Sequence, residues 1–214
     1  MAHELATPLA VIQTATETAL HVGEEAGAEE QQRLLEVIRR NSNLAVLLLR
    51  RLGLARDVEA GTVTLDLGTV DLAQLVTESI DDLRTVVLEG HQVQVVVTDT
   101  PMIEADETAL REITFNLLSN AAKYSGHNAP IEVTVDTTDH TARVAVRNHG
   151  SGVTPGHTEH IFEKFQQLDA TSPGAGLGLF ISRGLARAHG GDLTVQPATD
   201  TGSEFELRLP LPAP

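Results

Sequence analysis

Three polar side chains share one stripe of a predicted helix, and their chemistry suits a bound triphosphate. Asn116, Asn120 and Lys123 are three or four residues apart in a helical pattern that opens at Asp106 and ends before Gly126, so they lie on the same side of the helix. An amide oxygen is a hard ligand that suits Mg²⁺, while amide NH₂ and ammonium groups donate to phosphate oxygens. A solvated helix face that carries Asn and Lys would give the same pattern.

A second stripe of this helix is apolar and predicts how the helix is held. Its members recur at spacings of three and four, which is typical of a helix packed on a core. They are Ile113, Leu117, Leu118, Ala121 and Ala122.

The composition of the chain excludes several classes of partner. A length of 214 residues leaves room for one large or two small domains, and 41% hydrophobic residues supply a core. The net charge of −15 argues against nucleic acid and against an anionic membrane surface. The sequence has no cysteine, no signal peptide and no apolar run long enough to span a bilayer, so we expect a soluble, cytoplasmic chain.

The N-terminal part of the chain predicts a helical hairpin. Leu9 and Ile12 lie on one seam of apolar residues, and Leu48 and Leu52 lie on a similar seam in a second helix. The segment 21–28, rich in glycine and glutamate, is expected to join the two helices. More leucines are present than a two-helix hairpin can bury, so we expect a second copy to complete a four-helix bundle.

The rest of the chain predicts an α/β sandwich. The expected elements are an extended segment at 62–71, a helix from the N-cap Asp71 to about Leu88, a strand at 92–98, the Asn-bearing helix, strands at 131–136 and 142–148, a helix at 177–188 that stops at His189-Gly190-Gly191, and strands at 193–196 and 204–209. Helices and mostly antiparallel strands in this order indicate an α+β fold, with helices on one face of a sheet. We therefore predict a hairpin at 1–61, a linker with the first strand at 62–70 and a sandwich domain at 71–214.

Five sequence blocks, in order and at plausible spacing, resemble the cytoplasmic core of a sensor histidine kinase of two-component signalling. They are His3-Glu4-Leu5-Ala6-Thr7-Pro8-Leu9, the stretch from Asn116 to Ser125, Asn148-His149-Gly150-Ser151-Gly152, Phe162-Glu163-Lys164-Phe165 and Gly174-Ala175-Gly176-Leu177-Gly178-Leu179. A sixth block, His189-Gly190-Gly191 with Gly202-Ser203-Glu204-Phe205, closes the domain. The resemblance covers almost the whole chain. It implies a dimerisation and phosphotransfer hairpin joined to a GHKL-type (Bergerat) ATP-binding domain.

The histidine block implies the acceptor of a phosphoryl group. The neutral imidazole of His3 is nucleophilic, and Glu4 could orient the ring or accept its proton during attack on the γ-phosphate of ATP. Thr7 lies one turn further on, where the family's pattern can place a water that hydrolyses an aspartyl phosphate on the partner. Pro8 would kink the helix. The alternative for His3 is a surface histidine near a frayed N-terminus.

The other blocks imply an ATP site with a lid. The residues that the resemblance assigns to ATP are Asn116, Asn120, Lys123, Tyr124, Asn148, Gly150, Gly152, Gly174, Gly176, Leu177 and Gly178, with Asn116 also a ligand of Mg²⁺. The glycines would let the backbone approach the nucleotide and would flank a long lid segment. Tyr124 either covers the nucleotide or belongs to the core, and a plain loop is the alternative for each glycine cluster.

Two phenylalanines and three histidines lie in or beside this segment. Phe162 and Phe165 are interpreted as anchors that pin part of the lid to the core. His149, His157 and His160 are interpreted as solvated side chains rather than metal ligands.

The sequence departs from the family's pattern at three places. Asn148 stands where an Asp usually accepts a hydrogen bond from the adenine amino group, which predicts weaker ATP binding because charge-assisted hydrogen bonds are about twice as strong. On this basis Asn148→Asp should raise adenine affinity by about one to two powers of ten. Gln166 and Gln167 replace a basic residue, and Ala6 replaces an Arg.

The sequence therefore predicts an ATP-dependent protein-histidine kinase. It would phosphorylate His3 from Mg²⁺-ATP and pass the group to an aspartate of a response regulator, and it could also dephosphorylate that regulator. The alternative is a degenerate dimeric scaffold that binds a regulator with weak or no use of ATP. The His3 hairpin disfavours a chaperone- or mismatch-repair-type ATPase. Kinases of this kind carry a sensor domain before the histidine block, so we expect a piece of a longer, membrane-anchored parent in which this piece does not touch the membrane.

Overall fold

The computed structural model describes most of the chain and divides it into two compact units. The described ranges are 2–22, 27–126, 129–138, 140–150, 152–166, 176–197 and 202–212, and for residues 2–4, 22 and 197 they cover the backbone alone. The division falls between Arg56 and Asp57, so the last turn of the second helix belongs to the C-terminal unit. Within these ranges, no helix combines the length and the apolar character needed to cross a lipid bilayer.

The N-terminal unit is built from two long helices, as the apolar seams predict. Helix α1 spans Ala2–Val22 with Pro8 inside it, and α2 spans Ala28–Ala60, of which the residues up to Arg56 belong to this unit. The buried positions carry small side chains, with Ala15 and Ala45 only 6% and 7% exposed. Larger leucines on both helices remain exposed. They are Leu9, Leu20, Leu35, Leu44, Leu47, Leu49 and Leu52.

Within the described residues, the C-terminal unit contains seven strands and three further helices. They follow one another as β1 (Gly68–Asp71), α3 (Leu72–Leu83), β2 (Val93–Val97), β3 (Met102–Ala105), α4 (Glu107–Tyr124), β4 (Ile131–Thr138), β5 (Thr141–Asn148), α5 (Gly178–Ala188), β6 (Asp192–Pro197) and β7 (Ser203–Pro210), with two single 3₁₀ turns at Pro155–His157 and His160–Phe162.

Five strands form one sheet in the order β2-β4-β5-β7-β6. Strand β2 runs parallel to β4 and the other neighbours are antiparallel. Along β4, Ile131, Val133 and Val135 are at most 1% exposed, while the residues between them are half-buried. This alternation places one face of the sheet against the core, where α4 packs on β5 and α5 packs on β6 and β7. The predicted fold class is confirmed.

Two details differ from the sequence-based prediction. Strand β3, which pairs antiparallel with β1, was not expected, because four residues are too few for a clear alternation. Helix α3 ends at Leu83 rather than near Leu88. Beyond it, the N–H groups of Val86, Val87 and Leu88 all donate to the Leu83 carbonyl, so the chain turns while Leu88 still reaches the core.

Candidate functional site

Helix α4 carries the central side chains of the candidate site and is fixed firmly at its start. Asp106 is its N-cap and accepts from the backbone N–H of Ala109 at 3.0 Å, as the helical pattern predicts. Its other carboxylate oxygen accepts from the N–H of Asp66 at 3.0 Å. Burial opposes ionisation of this carboxyl, but the hydrogen bonds from Asp66, Ala109 and Thr108 outweigh it and lower the pKa of Asp106. The predicted apolar stripe is buried, except that Ala122 is half-buried.

The Asn116 amide is turned inward rather than toward solvent. Asn116 is 5% exposed. Its Nδ2 donates to Oε1 of Glu112 at 3.2 Å within α4, and across to α5 to Oγ of Ser182 at 3.1 Å and to the Gly178 carbonyl at 3.5 Å. Asn116, which the sequence places in the stripe predicted to bind phosphate, is therefore hydrogen-bonded to α5, the helix that follows the second glycine block.

The side chain of Asn116 lies against Gly178. A Cβ at this position would lie 3.2 Å from Oδ1 of Asn116, which is tighter than ordinary packing. Gly178 is also the first residue of α5, and no side chain of the described ranges caps this helix start. An uncapped helix N-terminus leaves backbone N–H groups that favour anions. The Asn116 amide oxygen and these N–H groups lie at the same place.

The end of α4 and the end of β5 meet through their backbones. Nδ2 of Asn148 donates to the Tyr124 carbonyl at 3.2 Å, Gly126 N–H donates to the His149 carbonyl at 2.7 Å, and Ser125 forms an isolated antiparallel bridge with Gly150. Any Cβ on Gly150 would overlap the Tyr124 carbonyl. The close approach that glycine permits is here made to protein backbone.

The first glycine block also meets the start of β7. Gly152 has φ +66° and a Cβ there would lie 2.5 Å from the Gly202 carbonyl. Gly202 has φ +98° and lies against the Asn148 carbonyl. Oγ of Ser203, 2% exposed, accepts from the Val153 N–H at 2.6 Å. We call the contacts among 124–126, 148–150 and Gly202 the backbone crossing.

The two phenylalanines of the fourth block have different roles, which corrects the prediction that both are anchors. Phe162 is buried, and the guanidinium carbon of Arg183 lies 4.7 Å from its ring centre. Phe165 is 51% exposed and has φ +66°. Its N–H donates to the Gly176 carbonyl at 2.8 Å, where Gly176 has φ +62°. The left-handed turn that makes this backbone contact directs the ring outward.

The other predicted site residues are distributed as follows. Asn120 and Tyr124 are half-buried, Lys123 is exposed with its ammonium 4.9 Å from the Tyr124 ring centre, and Leu177 is a core residue at 2% exposure. Gly174 lies outside the described residues, as do Ser151, Gln167 and the segment 168–175 of the expected lid. In the N-terminal unit, His3 and Glu4 have helical backbone with side chains outside the description, and Thr7 is exposed on α1.

The three histidines near the glycine blocks have side-chain partners. His149 Nε2 lies 2.9 Å from Glu132, His160 Nδ1 lies 2.9 Å from Glu163, and His157 Nδ1 lies 2.7 Å from the Thr154 hydroxyl.

Sequence reasoning missed Ser182, Glu112 and His189. Ser182 is completely buried, and it is a polar residue within the apolar face of α5, which is the signal that could have identified it. Glu112 lies one turn before Asn116. His189, read only as part of a helix stop, accepts from the Asp106 N–H through Nε2 at 3.0 Å and contacts the Leu185 carbonyl through Nδ1 at 2.8 Å.

A divalent cation fits this site only together with an anionic ligand. The part of the chain that the structure describes holds no group of three or more His, Cys, Asp or Glu side chains that could bind a metal ion. The amide oxygen of Asn116 is a suitable hard ligand, but one protein oxygen does not fill the coordination of Mg²⁺, which commonly relies on phosphate oxygens and water.

Two family models match the chain, one on each part. The model described as histidine kinase-, DNA gyrase B- and HSP90-like ATPase matches residues 105–213. The model described as His Kinase A (phospho-acceptor) domain matches residues 1–59. Together they cover the hairpin and the candidate site.

Similar proteins include named histidine kinases and their structures. Signal transduction histidine-protein kinase AfsQ2 of Streptomyces coelicolor is 33% identical over 98% of this chain and 40% of its own length. Sensor histidine kinase RppB of Synechocystis is 29% identical over 98% of this chain and 47% of its own length. The chain thus spans less than half of these two relatives.

Among solved structures, full-length ShkA in complex with AMPPNP matches with a TM-score of 0.77 and 27% identity, over 99% of this chain and 46% of that one. The mycobacterial sensor histidine kinase MprB matches with a TM-score of 0.61 and 27% identity, over 68% of this chain and 97% of that one.

Proposed function

Because this chain belongs to the histidine kinase-, DNA gyrase B- and HSP90-like ATPase family, we propose that it is the core of a sensor histidine kinase that phosphorylates His3 with ATP. The observation that carries the proposal is the combination in one chain of a phospho-acceptor domain match and an ATPase domain match. The buried pairing of Asn116 with the start of α5 supports it, because it combines an amide oxygen with an anion-binding helix end.

The chemistry requires one phosphorus–oxygen bond to break and one phosphorus–nitrogen bond to form. A neutral ring nitrogen of His3 attacks the γ-phosphorus of ATP, and ADP leaves with the electrons of the broken bond to its β-phosphate oxygen. The ring proton passes to Glu4, the neighbouring carboxylate. The aspartate of a receiver domain then attacks the same phosphorus to form an acyl phosphate. The phosphorus–nitrogen bond breaks, and Glu4 returns the proton to the leaving ring, which restores neutral His3.

The nucleotide site is assigned to residues of the C-terminal unit. Asn116, Asn120 and Lys123 serve the phosphates, the start of α5 supplies N–H donors, and Asn148 accepts from the adenine amino group. Bound Mg²⁺ would neutralise phosphate charge, with the Asn116 amide oxygen as its protein ligand. The remaining ATP contacts come from the backbone at Gly150, Gly152, Gly174, Gly176, Leu177 and Gly178.

The partners are a response-regulator receiver domain and a second copy of this chain. Thr7, exposed on α1, is assigned to place the water that hydrolyses an aspartyl phosphate on the receiver. Exposed leucines along the hairpin, such as Leu9 and Leu52, support its pairing into a four-helix bundle. Use of ATP and of a receiver domain assigns this activity to the cytoplasm.

Radiolabelling tests the acceptor assignment. With ATP labelled at the γ-phosphate, the protein should acquire a label that is lost in acid and stable in base. His3→Gln should abolish it, whereas His21→Gln, an exposed histidine of the same helix, should retain it. A label that persists in His3→Gln would overturn the assignment. A wild-type protein that neither labels nor binds an ATP analogue would be the degenerate scaffold.

A further inference from the structure

Ser182 lies behind Asn116 and is joined to it by a hydrogen bond of 3.1 Å. We infer that Ser182 is a positioning residue, whose hydroxyl holds the Asn116 amide with its oxygen directed at the metal of a metal–nucleotide complex. The inference rests on the proposed function, because it deepens the account of how that site takes Mg²⁺ with ATP.

The surroundings of Asn116 determine which atom of its amide is the nitrogen. The Glu112 carboxylate and the Gly178 carbonyl can only accept hydrogen bonds, and both lie on the same side of the amide as the Ser182 hydroxyl, at 3.2 and 3.5 Å from Nδ2. A flipped amide would place its oxygen against these two acceptors. These hydrogen-bond partners therefore hold Nδ2 of Asn116 toward the protein interior.

The amide oxygen is correspondingly fixed at the start of α5. Oδ1 lies 3.2 Å from the position that a Cβ of Gly178 would occupy, so it lies against the first residue of the helix. A phosphate bound by the N–H groups of this helix start and a metal ion on that phosphate would meet this oxygen. A half-turn of the amide about the Cβ–Cγ bond of Asn116 would replace this oxygen by NH₂, which repels a cation.

Ser182, which is shielded from solvent, helps to hold the Asn116 amide in this orientation. It is 0% exposed, and its neighbour Ile181 is equally buried. A buried hydroxyl costs free energy unless it is hydrogen-bonded. The bond to Asn116 satisfies this requirement, and because water does not reach it, it restrains the amide more than an exposed bond would.

A second buried helical serine in the same unit is a matched control. Ser79 on α3 is 6% exposed, and its Oγ donates to the Leu75 carbonyl of its own helix at 2.7 Å. Ser79→Ala also removes a buried hydroxyl from a helix of this unit, but the hydrogen bond that is lost lies within α3 and not in the candidate site.

The experiment is a Mg²⁺ titration of the protein saturated with a non-hydrolysable ATP analogue, followed by calorimetry, with analogue affinity measured separately in EDTA. Ser182→Ala should raise the Mg²⁺ concentration at half-saturation about three- to tenfold, which is the range for loss of one hydrogen bond. Its affinity for the metal-free analogue should equal that of the wild type. Ser79→Ala should change neither value, and Ser182→Thr, which keeps the hydroxyl, should restore the wild-type midpoint.

Two results would overturn the inference while leaving the proposed function intact. One is a Ser182→Ala midpoint equal to that of the wild type. The other is an equal fall in metal-free and metal-bound affinity, which would indicate a general structural effect. A wild-type protein whose analogue binding does not respond to Mg²⁺ would instead remove the metal part of the proposed function, and the inference with it.

Discussion

The side chain of Asn148 is already hydrogen-bonded to protein backbone, which changes what a substitution there would do. Its NH₂ donates to the Tyr124 carbonyl at 3.2 Å, and the residue is 4% exposed. Under the proposed function, the amide oxygen is the atom that accepts from the adenine amino group. An aspartate would supply a charged acceptor, but it would also place an oxygen where the amide now donates to a carbonyl.

Asn148→Asp should therefore lower the free energy of unfolding, by about 1–3 kcal/mol, because a buried donor is lost and two oxygens face each other. Urea denaturation at neutral pH measures this loss. Asn148→Ala, which also loses the bond but adds no opposing oxygen, should be less destabilised. The gain in adenine affinity expected from the sequence alone should not be reached in full. An aspartate variant as stable as the wild type would show that the Tyr124 contact does not restrain this residue.

The position of a residue on its helix was predictable where the helical spacing of the sequence is sufficient to define it. Asn116 and the buried stripe from Ile113 to Ala121 follow from spacings of three and four within one helix. Ser182 was not predictable in this way, because its role depends on a contact with a residue 66 positions away. Phe165 was wrongly taken as an anchor, because no sequence pattern revealed its left-handed backbone.

At the scale of elements, the start of α4 is the best secured part of the candidate site. The Asp106 side chain accepts from the N–H groups of Asp66 and Ala109, while its own N–H donates to Nε2 of His189. One residue thus joins the segment before β1, the helix α4 and the end of α5. Asn116 lies on this helix, so its position depends on that junction.

Asp106→Asn should cost about 1 kcal/mol of folding stability at neutral pH, since it replaces a charged double acceptor by a single amide oxygen. The folded-state pKa of Asp106 is lowered from an ordinary value of 3.8, so its ionised form contributes stability above that value. This contribution is lost as the pH falls through the lower folded-state pKa. The stability difference between wild type and variant should therefore shrink below about pH 4 in denaturation curves.

Asp71→Asn provides the comparison for this prediction. Asp71 caps α3 in the same manner, but among the described residues it accepts from one backbone N–H, that of Gln74 at 3.0 Å. Asp71→Asn should therefore lower the free energy of unfolding by less than Asp106→Asn does at neutral pH. An Asp106→Asn deficit that is unchanged at low pH would contradict the assigned role of the charge.

The elements themselves were largely predictable, and the misses have a common cause. The N-cap Asp71 and the opening of the helical pattern at Asp106 were identified because Asp before an apolar periodic run is a local signal. Strand β3 was missed because its existence depends on pairing with β1, a contact between segments far apart in the chain. Helix α3 ends where three N–H groups share the Leu83 carbonyl. No residue type in this segment indicates such an ending, so the sequence did not predict it.

At the scale of the whole molecule, the hairpin presents apolar side chains that its own packing leaves uncovered. Leu9 is 54% exposed and Leu49 is 55% exposed, while the smaller Ala15, Ala45 and Ala55 of the same unit are buried. Such surface is uncommon on a monomer and favours association.

Sedimentation velocity should show a dimer of this chain, and Leu9→Glu should shift it toward monomer because a charge would enter an apolar interface. Leu67→Glu is the matched control, since Leu67 is 57% exposed but lies in the C-terminal unit, and it should remain dimeric. A wild-type monomer at high concentration would contradict the proposed bundle.

The backbone crossing has a consequence for the order of events during synthesis. It unites Tyr124, Asn148 and Gly202, which leave the ribosome far apart in time. The β4–β5 hairpin pairs neighbouring segments, so the entropic cost of closing its loop is small. The backbone crossing joins distant segments, so long loops must close before its contacts stabilise the fold. A nascent chain that has not yet reached Gly202 contains α4 and strands β2, β4 and β5. It lacks β7, with which β6 pairs, and the contact that completes the wall around Asn148. Under the proposed function, nucleotide would therefore stabilise this domain only when its translation is almost finished.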